Sequence, residues 1–161
     1  MKNDVVDTDA GICVSIWLQG CPFHCKGCHN PETWDFNGGT EIEEQELLST
    51  ILDAIGAQGI KRNLSILGGE PLCAQNLNFT KLLIHRVKQE YKNIKIFLWT
   101  GFEFSQLKQN SKFDFILNNV DTLITGPFIQ EQRDIMLPLR GSHNQEIYRR
   151  NQFNQLTLQK K

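Results

Sequence analysis

Short apolar runs alternate along this chain with apolar residues at helical spacing. The runs predict four buried strands, over residues 14–18, 64–67, 94–99 and 122–125. The helical spacing predicts helices over about residues 47–55 and 77–87 and a short helix over residues 104–107. Thr40 and Glu43 have the spacing of a capping box, which predicts the start of the first helix, and Gly56 and Gly59 predict its end.

Alternating strands and helices predict a parallel sheet with right-handed crossovers, and therefore an α/β fold. A closed eight-unit barrel needs about 250 residues, and this chain has 161. We expect residues 1–161 to form a single domain, a partial and open barrel of roughly five βα units with a mainly parallel sheet. The polar composition from about residue 149 onward predicts a frayed tail.

Composition narrows the function classes without identifying a partner. The chain is 40% hydrophobic and has a formal net charge of -1, which argues against a disordered chain and against a strongly basic nucleic-acid-binding surface. It has no long apolar stretch, and its first residues lack the hydrophobic region of a secretory signal. We therefore expect a cytoplasmic protein that binds neither nucleic acid nor membrane.

The cysteines carry the strongest chemical signal. Cytoplasmic thiols are kept reduced, so the five cysteines are interpreted as ligands, catalytic groups or core residues rather than disulfides. Cys21, Cys25 and Cys28 follow the first predicted strand with C-x3-C-x2-C spacing, whereas Cys13 is expected in the core and Cys73 either in the core or near the site.

Three thiolates on one loop favour an iron-sulfur cluster or zinc, because both are soft enough for sulfur ligands. A [4Fe-4S] cluster held in this way would keep one iron without a protein ligand. The alternative is a structural zinc site of Cys3His type, with His24 or His29 as the fourth ligand. The spacing favours the cluster, since zinc sites usually use two separated cysteine pairs.

A glycine loop follows the second predicted strand. Gly68 and Gly69 precede Glu70 and Pro71, and two glycines in succession permit a close approach of the main chain or a positive φ. In parallel sheets, ligands bind at the carboxyl ends of the strands. We therefore expect the cysteine loop, this glycine loop and the Thr100–Gly101 turn to lie around one site.

The cysteine loop and the Gly-Gly-Glu-Pro loop together resemble the radical S-adenosylmethionine (SAM) enzymes. The resemblance runs from about residue 5 to residue 145, and it is closer to one family, the anaerobic ribonucleoside-triphosphate reductase activating proteins, which are glycyl-radical activases. The segments that carry this closer resemblance are residues 17–21, 28–34, 99–101, 126–128 and 140–145.

This resemblance implies two cofactors, a [4Fe-4S] cluster and SAM, and no catalytic residue beyond them. It implies that the cluster is held by Cys21, Cys25 and Cys28. It implies that SAM is contacted by Gly27, Cys28, His29, Gly69 and Glu70. Of these, Gly69 and Glu70 are expected at the methionine end, with the Glu70 carboxylate accepting a hydrogen bond from the ammonium group. Trp34 and Trp99 are interpreted as core or rim packing, with a place beneath the cofactor as the alternative for Trp99. Arg140 is interpreted as a surface anchor, with a contact to SAM or to the partner as the alternative.

The implied activity is the activation of an anaerobic ribonucleotide reductase. The cluster would cleave SAM reductively, and a hydrogen atom would be taken from a glycine of the reductase large subunit, with electrons from a donor such as flavodoxin. The alternatives are a radical SAM enzyme acting on another protein or a small molecule, and a zinc-binding interaction module.

Two segments depart from the family pattern. Gly27 stands where many members have an aromatic or bulky residue next to the adenine, and residues 9–13 replace the usual Gly-x-Gly-x-Arg approach to the first strand.

Overall fold

The computed structural model describes residues 1–159, without the side chains of residues 3, 6 and 7. Its strands are β1 (Lys2–Thr8), β2 (Gly11–Leu18), β3 (Asn63–Gly68), β4 (Ile96–Trp99), β5 (Thr122–Thr125), β6 (Glu146–Arg150) and β7 (Leu156–Leu158). Its α-helices are α1 (Glu44–Gly56), α2 (Leu77–Glu90), α3 (Phe104–Lys108) and α4 (Asp114–Asn119).

The seven strands form one open sheet in chain order. The four central strands, β2 to β5, are parallel, while β1 pairs antiparallel with β2, and β6 and β7 extend the opposite side antiparallel. The α/β class is therefore confirmed, and the partial barrel stays a prediction. The estimate of five βα units is wrong, because helices link the parallel strands by only three crossovers.

The core lies between the sheet and its helices. β3 and β5 are buried almost throughout, as expected of parallel strands covered on both faces. α1 presents Leu48, Ile51 and Ile55 to this core, and α2 presents Leu83 and Ile84. Burying each such side chain stabilises the fold by about 1.5–3 kcal/mol. These contacts hold α1 and α2 against the sheet, and the parallel strands place the loops that follow them on one side of the molecule.

One local prediction, the capping box of Thr40 and Glu43 at the start of α1, is corrected. α1 begins at Glu44, because the backbone of Glu43 is not helical, and Thr40 therefore lies outside the helix. Glu43 is the N-cap and makes no side-chain hydrogen bond there. A capping box is found instead on α3, where Glu103 and Gln106 bond each other's main chain. The predicted helix ends at Gly56, as expected.

The tail differs from the frayed segment that its polar composition predicts. β6 continues to Arg150 and pairs with β7. Arg150 donates to the carbonyls of Leu117 and Val120 at the end of α4, at 2.7 and 2.6 Å, and so anchors a strand that has few apolar residues. Lys160 and Lys161, the last two residues of the predicted tail, lie outside the described residues.

Across residues 1–159, no helix is both long enough and apolar enough to span a membrane.

Candidate functional site

The loops after the four parallel strands enclose one cavity of about 440 Å³. The sequence predicts that three of these loops share a site, and the structure brings them together. Residues from each loop line the cavity: Cys21, Cys25 and Cys28 after β2, Gly69 and Glu70 after β3, Thr100 and Gly101 after β4, and Gly126, Pro127 and Phe128 after β5. The fifth segment of the wall lies between β5 and β6.

The cysteine loop is a folded turn at the mouth of β2. The Cys28 N–H donates to the Cys25 carbonyl at 3.0 Å, and the Asn30 N–H donates to the Cys28 sulfur at 3.4 Å. All three thiols are half-buried and free of disulfides. Cys13 and Cys73 are buried and do not line the cavity, which separates them from the three predicted ligands.

Burial raises the pKa of the Cys21 and Cys25 thiols, although main-chain hydrogen bonds oppose the rise at both sulfurs. These two thiols therefore lose their protons less readily than an exposed cysteine does, and the positive charge of a bound metal would stabilise the thiolates. Within the described residues, the side chains are not gathered into a closed group of three or more metal ligands.

Gly27 has a neighbour that the sequence did not indicate. It adopts a φ of +73°, it is exposed, and it is not among the residues lining the cavity. A Cβ at this position would collide with the amide end of the Gln130 side chain. The turn of the cysteine loop is thus packed against the segment after β5, and a contact of Gly27 with SAM stays a prediction.

The glycine loop packs against the main chain of β2 and its following residues. The Gly69 N–H donates to the Leu18 carbonyl at 2.7 Å, and the Glu70 N–H donates to the Gly20 carbonyl at 2.8 Å. A Cβ on Gly69 would meet the Gly20 carbonyl, whereas the positive φ, +105°, belongs to Gly68. The close approach that Gly69 permits is therefore between the glycine loop and the main chain at Gly20, immediately before Cys21.

Glu70 is 1% exposed, and its carboxylate ties two loops together. One oxygen accepts from the Leu72 N–H at 2.9 Å and the Thr100 hydroxyl at 2.8 Å, and the other accepts from the Gly101 N–H at 2.7 Å. Burial raises the pKa of this carboxyl group to about 7, with the three hydrogen bonds opposing. The second oxygen has one described donor and can accept another, and the ammonium contact stays a prediction.

A further part of the wall is built by residues between β5 and β6. The Gln145 side chain accepts from the N–H groups of Gly141 and Ser142 at 2.8 and 3.2 Å, and it donates to the Gly126 carbonyl at 3.0 Å. The Trp99 indole donates to the Leu139 carbonyl at 2.7 Å. These bonds hold this wall in place.

Several residues that sequence reasoning set aside line the cavity. Trp34, Trp99 and Arg140, interpreted above as packing or surface residues, are all on its wall. His29, predicted to face SAM, is also on the wall, and its ring lies 5.5 Å from that of Phe128. The signal that could have found Arg140 was its position beside Gly141 and Gln145 in one of the segments that carry the family resemblance.

The residues on this wall fit an iron-sulfur cluster with an adjoining polar ligand. The three thiols supply the sulfur donors that such a cluster requires. Two buried nitrogens on the same wall, Trp34 Nε1 and Arg140 Nε, have no hydrogen-bond partner among the described atoms. Buried donors without partners are uncommon. A ligand that supplies hydrogen-bond acceptors would satisfy them once these side chains shift toward it.

Comparison with known proteins agrees with this chemistry. Residues 9–148 match the family of 4Fe-4S single cluster domains, so the chain belongs to that class. It is 36% identical to an anaerobic ribonucleoside-triphosphate reductase-activating protein of Vibrio cholerae, over 91% of this chain and 92% of the relative. Proteins of the same name from Pasteurella multocida and Haemophilus influenzae are 33% and 35% identical, covering 94% and 91% of this chain and 95% and 93% of the relatives.

Within that class, the chain belongs to the family of anaerobic ribonucleoside-triphosphate reductase-activating proteins. No solved structure gives a significant match.

Proposed function

We propose that this chain activates an anaerobic ribonucleoside-triphosphate reductase by cleaving SAM reductively at a [4Fe-4S] cluster. One observation carries the proposal: the three-cysteine loop and the Gly69–Glu70 loop line the same cavity in a chain of the activating-protein family. The proposal makes the chain a radical SAM oxidoreductase whose product is a glycyl radical on a separate protein.

Different residues on the wall would hold the two cofactors. Cys21, Cys25 and Cys28 would hold three irons of the cluster, which leaves the fourth iron for SAM. Main chain at Gly27, Cys28 and His29 would face SAM, and Gly69 and Glu70 would meet its methionine end. Glu70 is already held by Thr100 and Gly101, so it meets a ligand without reorganising.

When bound, the cluster and SAM would supply a 5′-deoxyadenosyl radical, because one electron passed to SAM breaks its sulfur to C5′ bond and releases methionine. The protein's task is to shield this chemistry from water and other hydrogen donors. The apolar and aromatic part of the wall serves that task. It includes Phe23, Trp34, Leu67, Trp99, Phe128, Leu137 and Leu139.

The proposed partner is the large subunit of the reductase, with a one-electron donor such as flavodoxin. Hydrogen transfer requires the reacting carbons to come within about 3–4 Å, so a glycine-bearing segment of the partner must enter the cavity. Transfer is downhill, because a glycyl radical is delocalised over its flanking amide groups and a primary alkyl radical is not.

The test is anaerobic reconstitution with iron and sulfide, followed by reduction and addition of SAM with and without the reductase. We expect a brown protein, formation of methionine and 5′-deoxyadenosine, and a glycine-centred doublet in the electron paramagnetic resonance (EPR) spectrum when the reductase is present. A colourless zinc protein would contradict the proposal. Consumption of a small nucleotide without any protein radical would replace the activase with a small-molecule enzyme.

A further inference from the structure

Arg140 is a half-buried cation on the cavity wall without an acidic partner. Its one described hydrogen bond runs from Nη1 to the Gln145 carbonyl at 2.8 Å. No ion pair is described for it in residues 1–159, and its Nε is buried without a partner. Partly burying an uncompensated charge is unfavourable, so the position of this guanidinium is best explained by a ligand that it binds.

The charged groups on the wall narrow the chemistry of that ligand. Among the described residues that line the cavity, Arg140 is the only lysine or arginine, and Glu70 is the only aspartate or glutamate. Glu70 is held by Thr100, Gly101 and Leu72 and is not paired with Arg140. The cavity therefore offers one unpaired positive group to whatever enters it.

The guanidinium is also held in a fixed position. Gln145, whose carbonyl accepts from Arg140 Nη1, is itself anchored through its side chain to Gly141 and Gly126. No hydrogen bond is described for Nη2. An arginine fixed at one nitrogen and open at another is suited to a carboxylate, whose two oxygens match the guanidinium fork.

We propose that Arg140 binds the carboxylate of the amino-acid end of SAM and so positions SAM in the cavity. The inference rests on the proposed function, because it takes SAM as the ligand. The two charged groups at that end of SAM would then each have a partner. Glu70 would accept from the ammonium group, and Arg140 would donate to the carboxylate. Arg140 is a positioning residue under this proposal and takes no part in bond breaking.

The experiment measures equilibrium binding of SAM to the anaerobically reconstituted protein by calorimetry. The test variant is Arg140→Gln, which removes the charge and retains a hydrogen-bonding side chain. Arg140→Lys retains the positive charge but replaces the planar, two-pronged guanidinium by a single ammonium group. The matched control is Arg133→Gln, the same substitution at an exposed position of the same segment that does not line the cavity. Visible absorption of the cluster and far-ultraviolet circular dichroism check that each variant is folded and loaded.

We expect Arg140→Gln to weaken SAM binding by about 10-fold or more, the effect of losing a hydrogen bond to a charged group. Arg140→Lys should lie between this variant and the wild type, and Arg133→Gln should bind as the wild type does. Decarboxylated SAM, which lacks the carboxylate, should bind the wild type and Arg140→Gln with equal affinity.

Two results would overturn the assignment. Unchanged SAM binding by Arg140→Gln would remove the contact, and an equal loss of affinity for SAM and decarboxylated SAM would show that Arg140 does not recognise the carboxylate. If the reconstituted wild-type protein fails to bind SAM, the proposed function itself is overturned, which distinguishes its failure from that of the Arg140 assignment.

Discussion

The Glu70 carboxyl group is buried on the cavity wall, and its protonation is linked to folding. Its pKa is raised by burial from 4.5 to about 7 in the folded protein, so the folded state binds the proton more tightly than the unfolded state. The resulting stabilisation is fully present below pH 4.5 and is lost as the pH rises through about 7.

We therefore expect Glu70→Gln to remove one component of the pH dependence of stability. Between pH 4.5 and about 7, the free energy of unfolding of the wild type should fall relative to that of the variant. The measurement is urea denaturation of the cluster-free, reduced protein across this range. Every other titratable group is common to both proteins, so the difference between them isolates Glu70. A constant difference across the range would contradict the linkage.

The three cavity thiols should behave differently from the two buried ones. Cys21→Ala, Cys25→Ala and Cys28→Ala should each lose the cluster, because each removes a sulfur donor from the cavity wall. Cys13→Ala and Cys73→Ala should retain it, because these side chains do not line the cavity. Iron and sulfide content after anaerobic reconstitution measures the outcome. Loss of the cluster in Cys73→Ala, with retention in Cys25→Ala, would reverse the ligand assignment.

At the scale of elements, the cysteine loop and the segment after β5 are packed together at Gly27 and Gln130. Gly27→Ala should destabilise the protein by about 1–3 kcal/mol, because its φ is positive and the new Cβ meets the Gln130 side chain. Gln130→Ala should relieve the collision but not the backbone strain. The double variant should therefore be more stable than Gly27→Ala alone, as measured by denaturant unfolding.

Gln132→Ala serves as the control for this pair, because it makes the same change in the same turn, Gln130–Gln132. It should not rescue Gly27→Ala. Additive effects of Gly27→Ala and Gln130→Ala would show that the two side-chain positions are not coupled.

The central elements were predictable because their physical signal is local. β2, β3 and β5 are short runs of consecutive buried residues, and α1 and α2 carry apolar side chains at helical spacing. The outer strands carry no such signal. β1 is mostly polar, and β7 has only three residues. β6 is held in part by Arg150, which binds the end of α4 and so makes a contact between residues distant in sequence.

The site was predictable to a similar extent and for a similar reason. The cysteine loop and the Gly69–Glu70 loop are contiguous in sequence, so their chemistry can be read from spacing. The wall containing Arg140 and Gln145 is brought to them by the return of the chain into β6, which pairs with β5. The fit of Gly69 against the Gly20 carbonyl also depends on the register of β2 and β3, which the sequence does not specify.

At the scale of the whole molecule, the described part of the cavity wall carries no cysteine or tyrosine to relay a hydrogen atom outside the three proposed cluster ligands. Three of the five cysteines are assigned to the cluster, and Cys13 and Cys73 do not line the cavity. Tyr91 and Tyr148, the two tyrosines of the chain, are not on its wall either. The proposed radical should therefore act directly on the partner's glycine.

Direct transfer predicts the fate of the hydrogen atom. With reductase whose glycines are deuterated at Cα, the 5′-deoxyadenosine formed during activation should contain deuterium, and mass spectrometry of this product measures it. Replacing the partner's radical glycine by alanine should abolish both the EPR doublet and the deuterium transfer. A doublet formed without deuterium in 5′-deoxyadenosine would instead require an intermediate carrier that exchanges with solvent, and the described cavity wall offers no cysteine or tyrosine for this role outside the cluster ligands.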